Sequence, residues 1–146
     1  MQELSLFSQL TLYMLLGIMG LICLVIWDWQ VKVLRGRAGK NPDGTSDSWH
    51  EQKFFYGIAI ADIFFACPVN IAGIVLLFFC PQWGYFLLAF VSFWWVWANI
   101  MGTSTSLRFE KPKITFNWII AFPFGTFIGL AYIVWIIVHF KFIFSM

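Results

Sequence analysis

The sequence predicts an all-α polytopic membrane protein, an antiparallel bundle of four transmembrane helices with both termini outside. Three observations carry that prediction. The 146 residues are 61% hydrophobic, 21% aromatic and only 11% charged, which is more apolar surface than one small soluble core can hide. The apolar residues fall in four runs near the length of about 20 that a hydrocarbon layer of about 30 Å requires. The basic residues collect between particular runs, as they do when one face of a membrane retains them.

The first crossing is expected over residues 4–27. It is longer than a secretory signal core, no Lys or Arg precedes it, and no small-residue cleavage site follows, so it reads as a crossing. It offers Gln9 and Tyr13 as polar groups, and Gly17 and Gly20 as points of close helix approach. Residues 28–53 follow as a cytoplasmic linker with few large apolar side chains and the turn signature Asn41-Pro42-Asp43-Gly44. Little fixed structure is expected there.

The second crossing, 54–79, contains the stretch AIADIFFACPVNIAG, which places a carboxylate (Asp62), a helix breaker (Pro68) and an amide (Asn70) inside an apolar run. At about 100° per residue, Ala59, Asp62, Ala66, Val69 and Gly73 share one stripe with Asn70 on its edge, while Phe64, Phe65, Ile71 and Leu76 project elsewhere. A small polar seam toward other helices and a bulky remainder toward lipid is the pattern expected of a packed transmembrane helix. Pro68 removes a backbone donor and crowds the carbonyl of Phe64, an acceptor that must then find another partner.

A short turn, Cys80-Pro81-Gln82, leads to the third crossing, 83–101, with Ser92 and Asn99 on one face and the block Phe93-Trp94-Trp95-Val96-Trp97. Residues 102–117 form a second cytoplasmic linker, and the polar run Gly102 to Ser106 reads as a helix stop, lacking the Lys of a phosphate loop. The fourth crossing, 118–140, repeats the proline theme, since Pro123 frees the carbonyl of Ile119. Ala121, Gly125 and Gly129 form a small-residue ridge along it, expected to pack within the chain alongside Ala66 and Gly73 of the second crossing. Thr126 lies about 12 Å into this helix, the depth at which Asp62 lies in its own, which makes Thr126 the expected neighbour of Asp62.

Orientation follows from charge. Lys32, Arg35, Arg37, Lys40 and Lys53 lie in the first linker and Arg108, Lys111 and Lys113 in the second, whereas Lys141 alone falls on the opposite side. Both linkers are therefore expected in the cytoplasm, touching anionic lipid headgroups. Trp27, Trp29, Trp94, Trp95, Trp97 and Trp118 are expected near that inner interface, and Trp83 and Trp135 near the outer one. Acidic residues interleave with the basic ones, which argues against nucleic acid as a partner.

The candidate site is the polar seam Asp62, Asn70, Ser92, Asn99 and Thr126. An intramembrane carboxyl must be paired, hydrated or protonated, and no Lys, Arg or His lies at its expected depth. Two readings stay open: a ligand or acid–base site, or a hydrogen-bonded lock within the bundle. His50 and His139 fall on opposite sides, and Cys23, Cys67 and Cys80 form no C-x-x-C pair and are expected at different depths, so neither a metal site nor a bis-histidine haem is expected. No cofactor and no catalytic set is read. Three function classes follow: an accessory or assembly subunit packing against other membrane proteins, favoured by the aromatic content; a carrier of a small lipophilic ligand at the seam; and an enzyme using Asp62 as acid or base, the least supported.

Overall fold

A computed structural model of the chain describes residues 4–39, 46, 48–110 and 112–144. It is all-helical, with no strand among the described residues. The turn expected at Asn41-Pro42-Asp43-Gly44 and the residues Lys40, Asp47 and Lys111 lie outside the described residues.

Helix α1 runs Leu6–Leu34. Ser5 starts it, its Oγ accepting the Ser8 N–H at 3.2 Å, the usual remedy for an orphaned first-turn amide. The helix does not stop where polarity begins at Asp28. It stops at Gly36, which adopts φ 64°, while the Arg37 amide bonds the Lys32 carbonyl and the Gly36 amide the Val33 carbonyl, the paired bonds of a Schellman end. The expectation of a loose linker from residue 28 is corrected accordingly. An Asp28–Lys32 ion pair one turn apart and the stacking of Trp29 on Trp49 at 4.6 Å hold this extension in helical form, and a 3₁₀ turn at Trp49–Glu51 closes against it.

Helix α2, Lys53–Leu76, widens just ahead of Pro68. Residues Asp62–Ala66 form a π turn in which the Cys67 amide reaches back to the Asp62 carbonyl. The wide turn lies directly ahead of Pro68 and inserts one extra residue into the helix. The buried stripe consequently shifts: Ala59, Asp62, Ala66 and Gly73 face inward as expected, but Asn70 rather than Val69 is central, fully buried.

Helix α3 spans Pro81–Glu110, with Pro81 in its first turn, where a missing amide costs nothing, and a second π turn at Ser106–Glu110. It is longer at both ends than the expected 83–101. The last segment departs most from expectation. The Phe122-Pro123 turn divides it into α4, Phe116–Ala121, and α5, Phe124–Val138, and a short α6, Phe140–Phe144, follows His139. Pro123 therefore breaks this segment where a kinked continuous rod was expected. Among the described residues, three helices are long and apolar enough to cross a membrane, while α5, at about 1.5 Å per residue, reaches only about 22 Å by itself.

Small residues set the closest approaches. A Cβ on Gly84 of α3 falls 2.6 Å from the Leu77 amide nitrogen, and one on Gly73 of α2 falls 2.7 Å from Leu88 Cγ. Between α3 and α5, a Cβ on Gly129 falls 2.7 Å from the Ser92 carbonyl oxygen and one on Gly125 falls 2.6 Å from Asn99 Cγ. The ridge expected on the last segment thus packs within the chain. The main core lies among α1, α2, α3 and α5 around Met19, Leu88, Val91 and Tyr132, and a second cluster gathers Val33, Trp49, Phe55, Trp118 and Phe122. Trp95, Trp118 and Trp135 are buried against other helices.

Candidate functional site

Asp62 comes from the first residue of the π turn in α2 and is 6% exposed. Its Oδ1 accepts from the Trp94 indole N–H of α3 at 2.7 Å, and its Oδ2 accepts from the Gln30 amide of α1 at 2.7 Å. One carboxyl therefore ties three helices, with each oxygen held by an uncharged donor. Such bonds are at the short end of the N–H···O range, and neither donor brings a counter-charge.

The expected partner, Thr126, does not reach it. Thr126 is partly buried on α5 and makes no hydrogen bond to Asp62, whose partners are Gln30 and Trp94. The depth-matching that suggested it assumed straight rods, and the Phe122-Pro123 break voids that count. Asn99 does share the cleft beside Asp62, although its amide donates to the Trp95 carbonyl one turn back at 2.8 Å. Ser92 is fully buried and donates to its own helix at the Leu88 carbonyl, 2.7 Å away. Asn70 donates to the Met19 carbonyl of α1 at 3.3 Å, and its Oδ1 is buried with no partner. The five polar residues thus do not converge: Asp62 and Asn99 share one cleft, and Asn70, Ser92 and Thr126 lie apart from it.

Two members of the site were not legible as such. Gln30 was assigned to a linker, and Trp94 to an interfacial belt. The signal for Gln30 was Gly36, since a glycine just past a helical run marks the helix end better than the onset of polarity does. Cys23 and Cys67 also meet, each thiol near the other's carbonyl, at 3.7 and 3.8 Å. That corrects the expectation of different depths, because α1 extends farther than counted and carries Cys23 level with Cys67.

The cleft beside Asp62 has a volume of about 80 Å³ and is walled by Trp29, Trp49, Phe55, Asn99 and Phe122. That is room for a few waters. Sites for drug-sized ligands run from about 300 to 1,000 Å³, several times the volume of this cleft.

Fold and site together define a chain that is helical in its described residues, three of whose helices are long and apolar enough to be compatible with a membrane protein. No family model matches the chain, and no curated protein or solved structure matches it.

Proposed function

We propose that the protein is an integral, four-crossing membrane protein with both termini outside, and that it serves as an accessory or assembly subunit packing against other membrane proteins. The observation that carries this reading is a seam on α3. Trp83, Phe86, Phe90, Phe93, Trp97 and Ile100 follow one another at alternating steps of three and four, the spacing that keeps a stripe facing a partner helix. All six are exposed, from 48% at Trp97 to 63% at Trp83. Trp83 and Trp97 stand toward the two ends of the row, where lipid favours indole rings, and Phe86, Phe90 and Phe93 carry it without a break across the apolar middle of the helix. Phe65 of α2 joins it edge-on to Phe90 at 5.9 Å, widening the face.

Charge supports the orientation. Lys32, Arg35, Arg37, Lys53, Arg108 and Lys113 lie at the Trp49 end of the helices, and Lys141 at the other. In this reading, residues 116–144 make the fourth crossing as a broken helix, the freed backbone groups being covered by neighbours. Asp62 acts as an internal tie, and the small cleft weighs against the ligand-carrier reading.

Site-specific photo-crosslinking in native membranes tests the proposal. A benzophenone amino acid at Phe90 or Phe93 is expected to give a discrete protein adduct, whereas one at Leu24, exposed on α1, is not. Lipid adducts alone from every position, together with a monomer in mild detergent, would defeat it.

A further inference from the structure

A second polar cluster lies at the opposite end of the helices from Asp62, where the start of α1 meets the end of α5. Ser8 Oγ is 3.0 Å from His139 Nε2 and 2.9 Å from Ser5 Oγ. His139 Nδ1 is 2.8 Å from the Trp135 carbonyl. A carbonyl can only accept, so Nδ1 carries the hydrogen, and in a neutral imidazole Nε2 is then the bare nitrogen facing the Ser8 hydroxyl. The Trp135 ring stacks on the imidazole at 4.3 Å, and its indole N–H donates to the Ser8 carbonyl at 3.2 Å. Every hydrogen in this chain thus has one consistent direction, from Ser5 to Ser8 to His139 and from His139 to Trp135.

We propose that Ser8 and His139 form a nucleophile–base pair for acyl transfer from esters with an apolar acyl chain, the chemistry of a membrane lipid. A hydroxyl within hydrogen-bond reach of a base that a third group orients is the arrangement that activates a serine. Here the Trp135 backbone carbonyl is the orienting group. Beside the pair lies a half-open surface pocket of about 580 Å³, lined by Leu4, Ile137, Val138, Phe140 and Lys141, within the range of about 300 to 1,000 Å³ typical of ligand sites. Ser8 also lies in the first turn of α1, where the positive end of the helix dipole favours the charge that develops on a carbonyl oxygen under attack. In the proposed orientation this end of the chain meets the outer boundary between headgroups and acyl chains, where lipid ester bonds lie; that placement alone rests on the membrane reading.

The step balances without a redox partner. Ser8 Oγ bonds to the ester carbonyl carbon as its proton passes to His139 Nε2. The C–O bond to the alcohol then breaks, and the alcohol leaves with that proton. Water attacks the acyl-serine, giving one proton to His139, which returns it to Ser8 Oγ as the carboxylic acid departs.

The test is labelling of the purified full chain in detergent with a fluorophosphonate probe, the modified residue being located by mass spectrometry. Wild type is expected to label at Ser8, Ser8→Ala not at all, and His139→Gln more slowly by about 100-fold or more, the usual worth of a general base. A chromogenic short-chain ester should show a burst of alcohol release in wild type that Ser8→Ala lacks. If instead the two residues merely latch α1 to α5, wild-type Ser8 stays unlabelled, and that result overturns the proposal whether or not the variants fold. Labelling of His139→Gln at the wild-type rate overturns it equally. Failure to label in a chain that still fractionates with membranes leaves the subunit reading standing.

Discussion

The tie at Asp62 makes a graded prediction. Asp62→Leu removes both acceptors and strands the Trp94 indole N–H and the Gln30 amide, which face Asp62 at 2.7 Å each. A buried donor left unpaired costs about 1–3 kcal/mol in proteins generally, while side-chain hydrogen bonds between membrane helices average about 0.6 kcal/mol because the unfolded state in lipid finds other partners. Two stranded donors therefore predict a loss between about 1 and 6 kcal/mol. Asp62→Asn should cost far less. The indole can only donate, so the Asn oxygen must take Trp94, and its NH₂ then faces Gln30, whose amide can turn to present its oxygen. About 1 kcal/mol or less is expected. The triple variant Asp62→Leu, Gln30→Leu, Trp94→Phe should regain much of the loss, since removing all partners together strands nothing. Equilibrium unfolding in mixed detergent micelles measures the series. Asn as damaging as Leu, or a triple variant no better than Asp62→Leu, would refute the tie.

Two further predictions concern packing and orientation. Gly129→Ala drives a methyl toward the Ser92 carbonyl at 2.7 Å and should cost about 1–3 kcal/mol, whereas Gly17→Ala, with nothing within 4 Å, should be neutral or stabilising by up to about 1 kcal/mol; unfolding midpoints of the two compare directly, and equal losses would contradict the packing. Cys80 is exposed while Cys23 and Cys67 are buried, so a membrane-impermeant maleimide added to intact cells should modify one thiol per chain, at Cys80. Labelling only after the cells are broken would reverse the proposed orientation.

The helical class and the approximate places of the long helices were legible because length and hydropathy are properties of single segments. The inward turn of Asp62, Ala66 and Gly73 was legible for the same reason, being a matter of local periodicity. What escaped depended on departures from straight rods. A proline announces a lost donor but not the remedy: Pro68 produced a π turn that left the helix continuous and moved Asn70 into the center of the seam, whereas Pro123 ended a helix outright. Depth-counting from an assumed helix start failed at Thr126, at Gln30 and at the Cys23–Cys67 meeting, each time because a boundary lay elsewhere. The Ser8–His139 contact joins residues from the two ends of the chain, and no local pattern encodes such a pair.

The two faces of α3 explain why one helix can be both the center of the fold and the proposed docking surface. Its buried residues, Gly84, Leu88, Val91, Ser92 and Trp95, fall on one side, where Gly84 admits the α2 backbone and Ser92 receives Gly129 of α5. The Trp83 to Ile100 seam falls on the opposite side of the same helix. Contacts that tight on one side hold the helix in fixed rotation, so the aromatic row is presented in one direction. Trp94 lies between the two faces and is fastened to Asp62, which resists rolling of α3 in either sense. Loosening that bond should therefore weaken partner capture at Phe90 as well as stability. Trp94→Phe that lowers the unfolding midpoint yet leaves the Phe90 crosslink intact would separate the tie from the docking face.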